Sequence, residues 1–414
     1  MQFIEGGVAS PNGFTANGVL SGIKVGRTKE DTALIFSDRV CAVAGVFTQN
    51  RVKAEPVKLT ATRVLSGKAR AVIANSGNAN ACTGKQGAEN ALRMTRCIAS
   101  ALSKKFGETI LEDEVLVCST GVIGQQINVG AIEEHADELA SGLSKIGNEK
   151  ARVAIMTTDT KYKECALETE IGGKKVRFGT MAKGSGMIHI NMGTMLGFIT
   201  TDCAISSKML DKALHESILG TYNCISVDGD TSTNDTLLIL ANGMAGNKEI
   251  TSDGKDYDDF LAALNSLNTQ MARKIAGDGE GASHLIECSV NGACDVQTAR
   301  RLAKSVISSS LVKAAFFGSD ANWGRILCAM GYSGEFFTPE KTSVSFESDF
   351  AGGSEIMVFD HGVPLDFDED LAKKILSEEE VKIKVQLEDG SASGTAWGCD
   401  LTYDYVKING DYRT

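Results

Sequence analysis

Between Val176 and Cys203 the chain reads VRFGTMAKGSGMIHINMGTMLGFITTDC, with no clean helix or strand period at its centre. This stretch carries Gly184, Gly186 and Gly193, a lone Lys183, and Thr194 wedged between Met192 and Met195-Leu196. A Thr flanked by apolar residues is ordinarily a core residue whose hydroxyl bonds to nearby backbone. The other reading is chemical. The Thr194 hydroxyl attacks the carbonyl of Gly193, the acyl group shifts from N to O, and water releases a new N-terminus. The freed α-amine, with an unperturbed pKa of about 7.7–8.0, then acts as base toward its own Oγ near neutral pH. A nucleophile activated this way needs no imidazole, and His135, His189, His215, His284 and His361 are indeed dispersed. Gly193 lacks a Cβ and so suits a strained peptide before cleavage. On the residues alone both readings stand.

Acyl transfer also needs donors aimed at the developing oxyanion. The segment Cys118-Ser119-Thr120-Gly121-Val122-Ile123-Gly124 follows a strand expected at Glu114–Cys118, and offers the Thr120 hydroxyl and the Gly121 N–H. A glycine-rich strand exit with no such role explains it equally well. Other chemistries fit poorly. GNANACTGK (Gly77–Lys85) has six residues between its glycines and Gln86 after the Lys, so it is no phosphate loop. The Gly184-Ser185-Gly186 start of a dinucleotide fingerprint meets His189 where a third Gly belongs. Asp228, Asp230 and Asp235 begin like a calcium loop, but Thr233 takes the Gly position and Ile239 the Glu position.

These residues must be held by a large fold. With 414 residues, 43% hydrophobic and 23% charged, the chain can bury a sizeable core. Its net charge of −11 argues against broad nucleic-acid or anionic-lipid surfaces. Gly numbers 44 and Pro only 4, so turns are shaped by Gly. Eleven scattered Cys without a C-x-x-C pair read as buried thiols of a reducing cytosol. Neither a signal peptide nor an apolar run of membrane length is visible, and a cytoplasmic enzyme is expected. Helical spacing predicts helices at Gln86–Phe106, Ala131–Ile146, Tyr257–Ala276 and Gln297–Ser308. Strands are expected at Arg70–Ala74, Glu114–Cys118, Thr236–Ala241, His284–Val290, Lys341–Glu347, Val381–Leu387 and, as the clearest alternation, Gly394–Ile408. One-faced strands with one-striped helices predict an α/β fold, a layered sandwich of sheets with helices outside.

KGSGMIHINMGTML resembles the cleavage motif of the glutamate N-acetyltransferase family, the ornithine acetyltransferases of arginine biosynthesis. The likeness runs through NSGNANACTG (Asn75–Gly84), STGVIG (Ser119–Gly124), MTTDT (Met156–Thr160), DGDTSTNDT (Asp228–Thr236), GDGEGA (Gly277–Ala282), NWGRIL (Asn322–Leu327) and YVKINGDYRT (Tyr405–Thr414). It implies an αββα-like sandwich cut between Gly193 and Thr194 into chains 1–193 and 194–414 of one intertwined fold, with Thr194 as nucleophile and Thr120 and Gly121 as oxyanion hole. Substrate contacts are implied at Thr157, Lys183, Thr194, Glu280, Asn409 and Thr414. Lys183 suits a carboxylate and Glu280 an ammonium, which fits N-acetylornithine and glutamate as substrates. DGDTSTNDT and NSGNANACTG read as structural turns. The family commonly has Ala at Gly193 and Pro at Ile190, which bears on the rate of cleavage. The resemblance further implies a heterotetramer of two copies of each fragment. It implies no metal or organic cofactor, with acetyl-CoA open as an additional acetyl donor. Two rival functions remain at this point: a self-processed aminopeptidase or amidase of similar fold, and an uncleaved amino-acid-binding protein.

Overall fold

The computed structural model describes residues 1–23, 26–189 and 195–411. Ile190, Gly193, Thr194 and Thr414 lie outside the described residues.

The strand Thr32–Phe47 organises the larger of two sheets. In order, that sheet runs Gln2–Ile4, Lys163–Ile171, Lys174–Lys183, Leu196–Thr201, Thr236–Ala241, Thr32–Phe47, Lys68–Asn75, Val115–Ser119, with Phe14–Val19 also paired to Thr32–Phe47. Its register with Lys68–Asn75 slips between Phe36 and Cys41, and residues 38–40 are exposed there, so the sheet folds over on itself.

Side-chain alternation then assigns the faces. Ala33, Ile35, Val72, Ala74, Leu116 and Cys118 from one half meet Val43, Met181, Leu196, Phe198, Leu238 and Leu240 from the other in a shared inner core. Their neighbours face outward. Leu34, Phe36, Ile73 and Val117 pack with Met94, Ile98 and Leu102 of the helix Gly84–Phe106 and with Ile132 and Leu139 of Val129–Ser141. Phe178, Ile199, Leu237 and Ile239 share a cluster with Leu210 and Leu214 of Ser207–Ile218 and with Phe260, Leu264 and Met271 of Lys255–Ala276. The order is helix, sheet, sheet, helix, as the alternation predicts. Buried on both faces, Thr236–Ala241 (TLLILA) reads as a continuous apolar run.

A second sheet of eight strands among the described residues is ordered Val363–Pro364, Ser354–Asp360, Ser343–Ser348, Glu380–Gln386, Leu285–Ala293, Ala392–Cys399, Ile225–Thr231, Ile188–His189. Val296–Ser308 packs on Ala392–Cys399 and Leu285–Ala293, while Lys255–Ala276 touches both sheets. The chain leaves the first sheet after Lys183, joins the second at Ile188–His189, and is back in the first at Leu196. Leu196–Thr201 is inserted between Lys174–Lys183 and Thr236–Ala241, so segments from either side of position 194 are interleaved.

Three expectations are corrected. The helix expected to reach Ile146 ends at Ser141, because the Asn17 amide donates to the carbonyls of Glu138 and Leu139 and a Cβ on Gly142 would lie 2.4 Å from the Asn17 nitrogen. The strand expected over Gly394–Ile408 stops at Cys399. There the buried Asp400 accepts the Ser283 and His284 N–H groups at 2.8 and 3.0 Å, and the chain turns into a helix, Tyr403–Asp411, that leaves Tyr403 and Val406 exposed. Of the eleven thiols, all unpaired, Cys82, Cys294 and Cys328 are exposed rather than buried. Among the described residues no helix is long and apolar enough to cross a membrane.

Candidate active site

Thr120 and Gly121 sit on a turn fixed by its floor. The Thr120 N–H donates to the Asn75 carbonyl at 2.9 Å, and the Ser119 hydroxyl to the Asn75 side chain at 2.6 Å. Gly121 has φ +130°, and a Cβ there would lie 2.4 Å from the Gly77 carbonyl carbon. No other residue type fits that position. The Asn234 amide ties the turn down from a second side, donating to Ala79 and Ser119 carbonyls at 2.6 and 2.7 Å. With the Thr120 N–H consumed, the Thr120 hydroxyl and the Gly121 N–H are the donors left to face a ligand. Among the described residues that N–H makes no hydrogen bond.

Lys183 ends its strand almost fully buried, with Nζ 3.4 Å from Thr120 Oγ1. Burying an ammonium is costly unless a countercharge is near, and Asp159 supplies it. Burial alone would raise the Asp159 carboxyl, but Lys163 and Lys183 outweigh that and bring it down to about 2. Asp159 accepts Thr157 N–H at 3.1 Å, Gly184 N–H at 2.7 Å and Lys163 Nζ at 2.7 Å. Lys163 also bonds Asp278, which accepts the Thr160 and Lys161 N–H groups at 3.1 Å each. Ser185 in turn donates to the Asp278 carbonyl at 2.8 Å. Two carboxylates and one ammonium, all buried, therefore lock MTTDT, KGSG and GDGEG against one another.

Glu280 follows from that lock. Its N–H donates to the Ser185 carbonyl at 3.0 Å, and its carboxylate packs over Gly186, where a Cβ would lie 2.3 Å from Oε2. The Asn409 amide, delivered by the helix Tyr403–Asp411, donates to Glu280 Oε2 at 2.8 Å.

These residues converge. Thr120, Gly121, Thr157, Lys183, Glu280 and Asn409 line one cavity of ≈ 100 Å³. It adjoins a pocket of ≈ 20 Å³ that shares Thr120 and Lys183 and reaches Met195, the residue bonded to Thr194. Every expected contact within the described residues is brought to this one place; Thr194, Gly193 and Thr414 are outside them. The cavity opposes a cation, Lys183, to a carboxylate, Glu280, beside two oxyanion-type donors. That combination can hold an amino acid by both its charges and stabilise a tetrahedral adduct. No group of three or more metal-binding side chains occurs among the described residues.

Sequence reasoning passed over Asp159, Lys163 and Asp278, although two of them stand in motifs it singled out. It also took DGDTSTNDT for turns alone, whereas Ser232, Thr233 and Asn234 line the cavity. Asp228 of that motif caps the N–H groups of Met187 and Ile188 at 2.6 and 2.8 Å. A polar residue predicted to lie deep in the core beside a motif was the available signal.

Comparison with known proteins identifies the family to which the whole chain is similar. The ArgJ family model matches residues 15–414. The arginine biosynthesis bifunctional protein ArgJ of Caldanaerobacter subterraneus subsp. tengcongensis is 48% identical over 414 residues, covering 100% of both chains. ArgJ 1 of Clostridium acetobutylicum is 50% identical over 401 residues, 97% of this chain and 96% of the relative. A solved ArgJ chain from Bacillus halodurans superposes with a TM-score of 0.50 at 44% identity, covering 53% of this chain and 100% of its own. Matched from residue 15 to its last residue and half identical to a relative over nearly its whole length, the chain belongs to the ArgJ family.

Proposed function

We propose that this enzyme of arginine biosynthesis moves the acetyl group of N-acetylornithine to glutamate through an acetyl ester on Thr194. The observation that carries the site assignment is the single cavity uniting Thr120, Gly121, Thr157, Lys183, Glu280 and Asn409 next to Met195. Thr194 first cuts its own peptide bond to Gly193, which frees the amine that later acts as base. The whole length of the Bacillus halodurans chain matches 53% of these 414 residues, about 219, close to the roughly 221 of segment 194–414. A chain of about that length is what such a cut would leave.

In the first half-reaction the Thr194 Oγ attacks the acetyl carbonyl and its proton passes to the Thr194 amine. The negative charge that develops on the carbonyl oxygen meets the Thr120 hydroxyl and the Gly121 N–H. The C–N bond then breaks, the proton goes to the departing ornithine nitrogen, and acetyl-Thr194 remains. Glutamate enters the same cavity and its amine attacks the ester. The Thr194 amine takes the proton released and returns it to Oγ as the ester bond breaks. Lys183 holds the substrate carboxylate and Glu280 an ammonium, with Thr157 and Asn409 adding polar contacts. Thr414 is proposed as a further contact from the C-terminus.

Because the ester stores the acyl group, the cycle uses no metal or organic cofactor. Acetyl-CoA is proposed as a second acetyl donor to Thr194, in keeping with relatives named bifunctional. After the cut the interleaved strands hold the fragments together, and two copies of each form the proposed heterotetramer. Eleven unpaired thiols suit a reducing cytoplasm.

Mass measurement under denaturing conditions tests the first step: fragments of roughly 20 and 23 kDa are expected, the larger beginning at Thr194. Thr194→Ala should give one 43.8 kDa chain without acetyl transfer. A cleaved, active alanine variant refutes the nucleophile. Acetate released from N-acetylornithine at the same rate with or without glutamate would make the enzyme an amidase.

A further inference from the structure

A second cavity, ≈ 770 Å³, opens between the helix Val296–Ser308 and the strand Ile188–His189. It shares no lining residue with the catalytic cavity, and its size is that of a small-molecule site. Its charge is one-sided. Arg300, Arg301 and Lys304 line it and no Asp or Glu does, in a chain whose net charge is −11. On the helix Val296–Ser308, Lys304 lies four positions from Arg300 and three from Arg301 and so neighbours both.

The three cations differ in what they already hold. Arg301 pairs with Glu335 at 2.7 Å and Lys304 donates to the Asn223 carbonyl at 2.9 Å. No carboxylate of the described residues forms an ion pair with Arg300. Room for its guanidinium is kept by Gly220, where a Cβ would lie 2.6 Å from Nη2. A guanidinium offers a planar fork of donors suited to phosphate oxygens. Ser308 also lines the cavity, and its hydroxyl is buried without a hydrogen-bond partner among the described residues. At the rim stands Tyr332, 62% exposed, beside exposed Leu219 and Val296. A cluster of cations on one helix with an exposed aromatic ring beside it matches a ligand having phosphates at one end and a planar ring at the other.

We propose that this cavity binds a nucleotide, with its phosphates on Arg300, Arg301 and Lys304 and its base against Tyr332. The inference stands independently of the acetyl-transfer reading, since binding is measured directly. The full-length protein is titrated with ADP at low salt by calorimetry, and saturable binding is expected. Arg300→Ala should weaken it about tenfold or more, while leaving acetyl transfer unchanged. The exposed variants Arg301→Ala and Tyr332→Ala guard against misfolding. Tyr332→Ala should weaken ADP but not inorganic pyrophosphate. Saturating N-acetylornithine should not displace ADP. The proposal falls if ADP shows no saturable binding at millimolar concentration, if Arg300→Ala binds it as well as the parent, if citrate binds equally well, or if N-acetylornithine competes.

Discussion

Replacing Asp159 by Asn tests the claim that a buried carboxylate sets the shape of the catalytic cavity without touching substrate. Asp159 is fully buried and accepts from Thr157 N–H, Gly184 N–H and Lys163 Nζ. An Asn side chain has one acceptor oxygen and an amide that faces those same donors, so at least one N–H loses its partner, at a cost of about 1–3 kcal/mol. The charge is lost as well. A carboxyl lowered from 3.8 to about 2 is stabilised as the anion by the equivalent of roughly 2 kcal/mol. Lys163 keeps Asp278, so the total should fall near about 3 kcal/mol, the lower end of the cost of breaking a buried pair.

Two assays follow. The denaturation midpoint should drop accordingly at pH 7. The folded carboxyl titrates below its ordinary value, so its contribution is present above about pH 4 and lost as pH falls toward about 2. The gap between parent and variant should therefore close over that range. In turnover, loosened MTTDT and KGSG segments should cost about 100-fold in kcat/KM, the scale of an ångström-sized misplacement. A variant with parental kcat/KM and parental stability at pH 7 refutes the reasoning.

Thr120→Val deletes one oxyanion donor and should lower kcat by about 10²–10³-fold with normal folding; an unchanged kcat removes Thr120 from the hole. Gly121→Ala forces a Cβ against the backbone of Gly77 and Asn78 at a positive φ, so the turn must shift and activity should be lost even where the protein folds; activity in a crystal-verified variant would contradict this. Glu280→Gln should raise KM for N-acetylornithine, whose free side-chain ammonium it would hold, about tenfold or more with a smaller change in kcat, and Asn409→Ala, which removes a polar contact and a donor to Glu280 but no charge, should do less. Burial first, and then the charge of Lys304, lowers His189 to about 4. The unfolded chain takes up that proton near pH 6.5, so stability should fall from about pH 6.5 to 4, and His189→Gln should flatten the fall.

The long helices were legible because each carries a single apolar stripe. Gln86–Phe106 and Tyr257–Ala276 come out within two residues of their expected starts and at their expected last residues. The hairpin Lys163–Ile171 to Lys174–Lys183 escaped notice because its strands carry charges on one face, although Gly172-Gly173, both at positive φ, marks its turn. Thr32–Phe47 was also missed: it is apolar on both faces where it is sandwiched, and its exposed bend at 38–40 hides its length. At the C-terminus local pattern misled, since Leu401, Tyr403 and Tyr405 alternate like a strand although Asp400 ends the ladder.

By itself the sequence determined which side chains can do chemistry. Thr120 and Gly121 could be read as donors from residue type and position, whereas Thr157, Lys183, Glu280 and Asn409 were named through the motifs of the family resemblance. Tertiary structure alone decided that these six share one cavity, and that Asp159, Lys163 and Asp278 fasten them together. The reason is that a buried charge declares itself only through its surroundings. In sequence Asp159 and Asp278 lie 119 positions apart among many acidic residues. In the fold they share one ammonium.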